Sequence, residues 1–183
     1  MSANPKIDVS KLLKQDGNTC GAHSIYNYLV ITKNPLFKAH PDDPKKDITA
    51  IYQAITSSGS GEAALPHLML RFLNQHGLSV TLHGSNQYAR ELEEISSQLK
   101  IAETISYSDD PFATALPSGA HGIALWNTTE NFPPLHKLAT MHYTVVYKNA
   151  TGETYALDSN CPEQGWQLIT PAFYLKFMGL LFA

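Results

Sequence analysis

The chain is poor in cysteine and in arginine, and each shortage excludes a class of protein. Its 183 residues include only two cysteines, Cys20 and Cys161, and only two arginines, Arg71 and Arg90. Without an export signal, two cysteines favour reduced thiols over a disulfide, and the absence of CxxC and HExxH spacings argues against a structural zinc site. With so few arginines and a net charge of −3, a non-specific nucleic-acid surface is not expected, because such a surface needs clustered Lys and Arg.

Long apolar segments are also missing. Residues 1–6 show no basic region followed by an apolar run, so no secretory signal is expected. The most apolar stretch, 172–183, is far shorter than the ~20 residues that cross a bilayer. We therefore expect a soluble protein that is cytoplasmic as synthesised. Action inside a host cell would require a secretion route that does not depend on a signal.

What the chain does contain is typical of one folded domain, 1–183. Hydrophobic residues make up 43% and charged residues 16%, so a sizeable core can form. Apolar spacing and turn residues predict helices at 20–32, 48–57, 65–76, 87–100 and 171–177, and strands at 78–83, 121–126, 141–148, 153–158 and 166–169. Thr19 and Asp47 are the predicted caps of the first two helices. Helices followed by strands predict an α+β domain, with the first helix packed against an antiparallel sheet.

Cys20 is the candidate nucleophile because it lies at the predicted start of the first helix. A helix N-terminus presents unpaired N–H groups and a partial positive charge, and both favour the thiolate that attacks a substrate. Gly21 follows it, and we expect the missing side chain to leave room for a substrate backbone. The competing interpretation is an ordinary buried cysteine.

His142 is the candidate base. It lies near the start of a predicted strand, next to a loop, where a side chain can reach a cleft. Two other histidines compete with it. His23 is on the same helix as Cys20, which limits its freedom to face a substrate, whereas His121 at another strand start is the more serious rival.

Asp158 is the candidate partner that orients His142. His142 and Asp158 lie on the two strands of a predicted hairpin, at the end away from its turn at 149–152. His142 should therefore face residue 158 or 159. Side chains that meet across such a ladder have Cβ atoms about 5 Å apart. A carboxylate beside the imidazole would fix its tautomer and orientation, as a triad requires, and Asn160 is the alternative partner.

Gln15 lies five residues before Cys20 and is the candidate oxyanion-hole residue. Its side-chain amide can reach back over the helix start and, together with the Cys20 N–H, hold a developing oxyanion. Each such donor is typically worth ~3 kcal/mol. The alternative is a polar surface glutamine before a turn.

Taken in order, these motifs resemble the papain-like cysteine peptidases, and among them the compact bacterial branch. The motifs are Gln15-x4-Cys20-Gly21, His142-Tyr143-x-Val-Val and Leu157-Asp158. The resemblance implies that the glutamine assists the oxyanion hole, the cysteine attacks, the histidine is the base and the aspartate orients it. It also implies hydrolysis of a protein or peptide substrate without a metal or organic cofactor.

Two other interpretations stay open. The same order of Cys, His and Asp occurs in transglutaminases and in papain-like effector deamidases, which would make a glutamine side chain of a target protein the substrate. A non-enzymatic alternative is a protein-binding module on an inactive papain-like scaffold, with a face of aromatic residues near loops. Those aromatic residues are Tyr107, Phe112, Trp126 and Phe132, although core burial is the expected fate of most of them.

Overall fold

The computed structural model describes residues 12–57, 62–98, 104–127, 141–170 and 177–182. Within these ranges the chain forms helices first and a sheet afterwards, with some interleaving in the middle. The helices are α1 (Cys20–Ile31), α2 (Pro44–Ile55), α3 (Pro66–Gln75), α4 (Ala89–Gln98) and α5 (Pro111–Ala115). The strands are β1 (Leu82–Ser85), β2 (Ile105–Ser108), β3 (His121–Asn127), β4 (Met141–Lys148), β5 (Thr154–Leu157), β6 (Trp166–Leu168) and β7 (Phe177–Phe182). The predicted α+β class is confirmed.

The sheet has the strand order β2-β1-β7-β3-β4-β5-β6. Strands β1 and β2 pair in parallel, and the other neighbours pair antiparallel. The prediction of a wholly antiparallel sheet is therefore wrong at one edge. A parallel pair needs a crossover, and α4 provides it between β1 and β2.

The last strand, β7, was not predicted. The sequence pattern favoured a helix at 171–177, of which 171–176 lie outside the described residues, while Phe177 begins a strand. Strand β7 pairs with β1 along one edge and with β3 along the other. Near its end both faces are also covered, since Leu181 packs on one side of the sheet and Phe182 on the other. A strand buried on both faces reads as a continuous apolar run, which periodicity alone does not distinguish from a short helix.

The start of α2 also differs from the prediction. The helix begins at Pro44 rather than at residue 48, and Asp43, not Asp47, caps it by accepting a hydrogen bond from the Lys46 N–H. Proline at the first helical position after an aspartate is a favourable helix start. Asp47 lies inside the helix and binds His40, whose Nδ1 is 2.6 Å from the carboxylate.

Other boundaries shift by smaller amounts. The strand predicted at 78–83 begins only at Leu82, and the helix predicted at 87–100 starts at Ala89 after a single 3₁₀ turn. The short elements β2 and α5 were not predicted, because each is only four or five residues long.

The two faces of the sheet carry separate cores. Helices α1, α2 and α3 cover one face, where Ile123, Leu125 and Tyr143 are buried. On the other face Phe112 of α5 packs in a second cluster with Trp126. Helix α1 lies between this sheet and α2, against β4, so its N-terminus is held at the end of the sheet where β4 begins.

Candidate active site

Cys20 is the first residue of α1, and its side chain is only 8% exposed. The predicted side-chain cap is wrong: the Thr19 hydroxyl donates to the Asp16 carbonyl at 2.6 Å and makes no cap hydrogen bond to the helix. The first backbone N–H groups of α1 are therefore not occupied by a Thr19 cap. A helix start with free N–H groups is suited to hold negative charge on the sulfur or on a substrate oxygen.

Gly21 has a different role from the one expected. A Cβ at this position would come within 2.4 Å of the Ala64 Cβ, so the space left by glycine is filled by the protein itself. The segment before α3 thus packs directly against the first turn of α1. Gly21 is required for that close packing, and the prediction that it leaves room for substrate is wrong.

Tyr143 fixes the same junction from the sheet. Its hydroxyl donates to the Ala64 carbonyl at 3.2 Å, and the side chain is buried. Burial, together with the charge of Cys20, raises the pKa of Tyr143 well above its usual value of 10, so the phenol stays neutral. Tyr143 and Ala64 hold β4 and the start of α1 together, and neither role was visible in the sequence.

His142 is the second residue of β4 and lies directly across from Trp126 of β3. One ring nitrogen, Nε2, is 2.7 Å from Oδ1 of Asp158. The Cys20 side chain also acts on the imidazole, since its hydrogen-bonding and charge interactions both raise the pKa of His142. Because Asp158 occupies Nε2, Nδ1 is the nitrogen that can face the sulfur. His142 therefore binds Asp158 directly and also interacts with Cys20.

Asp158 reaches His142 by a diagonal contact. Val145 pairs with Leu157 in the β4–β5 ladder, so continuing this register would place His142 opposite Asn160. The predicted opposition to residue 158 or 159 is thus shifted, although residues two apart on a strand share a face and can both reach His142. The Asn160 backbone N–H donates to Oδ1 of Asp158 at 2.8 Å. Asn160 supports the carboxylate through its backbone and does not replace it.

The electrostatics of this chain favour a charged imidazole. Burial alone lowers the pKa of His142, but the hydrogen bonds and negative charges of Asp158 and Cys20 outweigh it and raise that pKa to about 9. For Asp158 the effects have the opposite signs. Burial raises the pKa of its carboxyl, but the hydrogen bond and charge of His142, together with the Asn160 N–H, bring that pKa below its usual value of 3.8. At neutral pH His142 is therefore an imidazolium between two acidic groups.

The two rival histidines do not join this arrangement. The Nδ1 of His23 is 3.0 Å from the Thr19 carbonyl, so the ring is bound to the backbone of its own helix turn. His121 pairs with Tyr147 at the other end of the β3–β4 ladder, five residues from the Trp126–His142 pair. Five strand residues span about 17 Å, which separates His121 from the sulfur.

Gln15 is bound to Ser159, the residue that follows Asp158. Its backbone N–H donates to the Ser159 carbonyl at 2.9 Å, and the Ser159 hydroxyl donates to Gln15 Oε1 at 2.7 Å. Gly17, with φ of +58°, then turns the chain towards Cys20. The four predicted site residues thus lie in segments that meet at one place. Ser159 was missed, because nothing in its spacing to Gln15, 144 residues away, indicates contact.

The aromatic residues proposed for a binding face are mostly internal. Trp126 and Phe112 are buried and stacked with ring centroids 5.9 Å apart, and the Trp126 Nε1–H donates to the Thr144 hydroxyl at 2.6 Å. Tyr107 is partly buried against the helical core, and Phe132 lies outside the described residues. The expected core burial is therefore confirmed for Trp126 and Phe112, which leaves neither of them exposed for a binding face.

Cys161 differs from Cys20 in its surroundings. It is partly exposed, and burial together with the charges of Asp158 and Glu163 raises the pKa of its thiol. Among the residues that the structure describes, no group of three or more His, Cys, Asp or Glu side chains is placed to hold a metal ion. Nor does any helix within the described ranges have the length and apolar character needed to cross a bilayer.

Three features define this site: a cysteine at a helix start, a histidine on the adjoining strand and an aspartate bound to that histidine. Their arrangement can support nucleophilic attack by sulfur with proton transfer through the imidazole. Neither a family model nor a curated protein matches the chain.

Proposed function

We propose that the protein is a cysteine-dependent amide hydrolase with a papain-like arrangement, in which Cys20 forms a thioester with a peptide substrate. The observation that carries this proposal is the continuous contact from Asp158 through His142 to Cys20 at the start of α1. A histidine that serves only packing would gain nothing from interacting with two acidic groups, Asp158 and Cys20. Activated nucleophiles are recognised by this combination of nucleophile, base and orienting acid.

The first half of the reaction forms the thioester. The Cys20 thiolate attacks the carbonyl carbon of the scissile amide, and the carbonyl π electrons move to oxygen. The Cys20 N–H and the Gln15 side-chain amide are the candidate donors to that oxyanion. The His142 imidazolium then gives its proton to the leaving nitrogen, the C–N bond breaks, and a free amine departs.

The second half restores the enzyme. Neutral His142 takes a proton from water, and the hydroxide oxygen attacks the thioester carbonyl. The C–S bond breaks, the carboxylic acid product leaves, and the sulfur again faces an imidazolium. Asp158 stays ionised throughout, and its role is to hold the ring and stabilise its positive charge.

The first test measures the reactivity of the two cysteines with iodoacetamide. An imidazolium beside the sulfur favours the thiolate, so Cys20 should be alkylated rapidly between pH 6 and 7, whereas Cys161 should react slowly because its pKa is raised. Peptide mass analysis after timed quenching separates the two sites, and Cys161→Ala provides the matched control. Slow alkylation of Cys20 at the rate of an ordinary thiol would contradict the proposal.

The second test identifies the reaction. Casein and a mixture of denatured proteins are incubated with the protein and with Cys20→Ala, and the products are examined by mass spectrometry. New chain termini that require Cys20 indicate peptide hydrolysis. A gain of about 1 Da at individual glutamines without cleavage would show that the reaction is deamidation and not peptide hydrolysis. Deamidation uses the same thioester chemistry. Cleavage that persists in Cys20→Ala would contradict both reactions.

A further inference from the structure

Ser159 and Gln15 are joined by two hydrogen bonds, which we call the Gln15–Ser159 clasp. The Gln15 backbone N–H donates to the Ser159 carbonyl at 2.9 Å, and the Ser159 hydroxyl donates to the Gln15 Oε1 at 2.7 Å. Ser159 is only 2% exposed, so its hydroxyl is committed to this partner and has no competition from bulk water. Such a short, buried hydrogen bond holds the Gln15 side chain in place, although a hydroxyl by itself could also accept from an NH₂ group.

The clasp determines which end of the Gln15 amide is free to donate. An amide side chain has a carbonyl oxygen at one end and an NH₂ group at the other. The Ser159 hydroxyl binds the oxygen, and the Gly17 carbonyl, which can only accept, lies at the NH₂ end, so the two contacts together set the orientation of the amide. The only described contact of the NH₂ group is with the Gly17 carbonyl at 3.4 Å, which is at the long limit of a hydrogen bond and can be exchanged for a stronger acceptor.

The clasp also connects two parts of the candidate site. Ser159 directly follows Asp158, whose carboxylate binds His142. Gln15 precedes the turn that leads into Cys20. A displacement of the 158–160 turn would therefore move the base and the oxyanion donor together.

From this geometry we infer that Ser159 is a positioning residue that orients the Gln15 amide so that its NH₂ group, and not its carbonyl oxygen, faces the substrate oxyanion. The inference rests on the proposed function. Without the Ser159 hydroxyl the amide can rotate by 180° and present its oxygen, which would repel a developing negative charge. The backbone half of the clasp would remain, so the Gln15 segment would stay in place.

The test uses two reagents that differ in whether they create an oxyanion. Iodoacetamide is attacked at its CH₂ carbon and forms none, whereas a tripeptide aldehyde forms a tetrahedral hemithioacetal on Cys20 whose oxygen needs a donor. Both are applied to wild type, Ser159→Ala, Gln15→Ala, the double variant and Ser159→Thr. Ser85→Ala serves as the matched control, because Ser85 is a buried serine with a hydrogen bond on β1, four strand positions from β5.

The Ser159 variant is expected to lose oxyanion stabilisation without losing the reactivity of Cys20. Ser159→Ala should weaken aldehyde affinity and lower kcat on a responsive peptide by about tenfold, the effect of one hydrogen bond, while leaving KM and the pH profile of Cys20 alkylation unchanged. Gln15→Ala should lose roughly 10²-fold, and adding Ser159→Ala to it should cost less than a further factor of about two. Ser159→Thr keeps the hydroxyl and should recover most of the kcat, whereas Ser85→Ala should match wild type.

Other outcomes overturn the inference in distinguishable ways. If Ser159→Ala and Gln15→Ala act additively, Ser159 does not work through Gln15. If Ser159→Ala shifts the pH profile of alkylation, it acts on Asp158 and His142 instead. If Cys20 shows no enhanced alkylation in wild type, the proposed function itself fails, and the role assigned to Ser159 fails with it.

Discussion

The two ends of the β3–β4 strand pair carry histidines with opposite properties. At one end His142 lies across from Trp126, and its pKa is raised to about 9. At the other end His121 lies across from Tyr147, and burial lowers its pKa. The Nε2 atom of His121 is buried and has no hydrogen-bond partner among the described residues. His142 is buried and His121 is partly buried, and burial lowers the pKa of an imidazole, so burial cannot explain why the pKa of His142 is the raised one.

The acidic partners decide which histidine is charged. His142 has the carboxylate of Asp158 at 2.7 Å and the sulfur of Cys20 on its other side. His121 has aromatic neighbours instead, with the Tyr147 ring centroid 4.7 Å from its own. An imidazole bound to a carboxylate and next to a thiol is a candidate proton carrier, whereas an imidazole packed against aromatic rings is a neutral part of the fold. The following predictions test this contrast.

The largest effect is expected from replacing the two histidines separately. His142→Ala should lower turnover by roughly 10²–10⁴-fold, because no group remains to protonate the leaving amine. His121→Ala should change turnover by less than a factor of about two, although it can lower the melting temperature by leaving a cavity beside Tyr147. Steady-state rates on one peptide substrate, with thermal denaturation as the folding control, measure both. Comparable losses in turnover from the two variants would contradict the contrast between a proton-carrying His142 and a structural His121.

A smaller loss is expected when the orienting acid is changed. Asp158→Asn keeps the shape but removes the charge, and it should lower turnover by about 10- to 10³-fold, less than removal of the imidazole itself. It should also lower the pKa of His142 towards 6.5, because a principal cause of its upward shift is lost.

Asp47→Asn is the matched control for that variant. Asp47 also binds a histidine closely, with 2.6 Å between its carboxylate and His40 Nδ1, but it lies on α2. Asp47→Asn should leave turnover within a factor of about two while it lowers stability. Equal loss of activity in both variants would show that any broken His–Asp pair disturbs the protein.

The pH dependence of the two Cys20 reactions should differ at high pH. Thioester formation needs the His142 proton for the leaving amine, so kcat/KM should fall by about tenfold per pH unit above a pH of about 9. Alkylation by iodoacetamide needs only the thiolate and should not fall there. Parallel profiles for the two reactions, measured from pH 5 to 10.5 in Cys161→Ala, would contradict the role of His142 as the proton donor.

The smallest effect concerns stability, and its sign differs between the two histidines. The folded-state pKa of His142 is raised above 6.5, so its contribution is complete below pH 6.5 and is lost as the pH rises through about 9. This contribution is on the order of 3 kcal/mol. The folded-state pKa of His121 is lowered, so its neutral form favours folding above pH 6.5, and stability is lost as the pH falls below that value.

Urea denaturation at several pH values measures how the free energy of unfolding changes with pH on the alkaline and the acid side. His142→Ala should remove the decline in stability between pH 6.5 and 9, and His121→Ala should reduce the decline on the acid side. Retention of the alkaline decline in His142→Ala would assign it to another group.

The sequence predicted those parts of the site that depend on local order along the chain. A cysteine after a turn and before an apolar helix, and a hairpin that joins His142 to Asp158, are patterns within short segments. The same reasoning missed contacts between distant segments. The Gln15–Ser159 clasp and the filling of the Gly21 space by Ala64 depend on tertiary packing, and no local pattern encodes them.

The errors in the fold have the same origin. Strand β7 is buried on both faces and therefore lacks the alternation that identifies a half-exposed strand. The residue that caps α2 was misassigned because Asp43 and Asp47 are both acidic and close together, and only the structure shows Asp47 engaged with His40. The hairpin register was off by up to two residues, but a two-residue shift preserves the face, so the expected contact between His142 and Asp158 still forms.

The central claim is that His142 carries a proton at neutral pH because Asp158 and Cys20 lie on either side of it. Two-dimensional NMR of protein labelled with ¹⁵N in the histidine rings measures this directly, with the His142 signal assigned by its loss in His142→Ala. The account predicts a titration midpoint near pH 9, which moves down when Cys20 is replaced by alanine. A midpoint at or below 6.5 in the wild type would show that the imidazole is neutral at rest and would contradict the account.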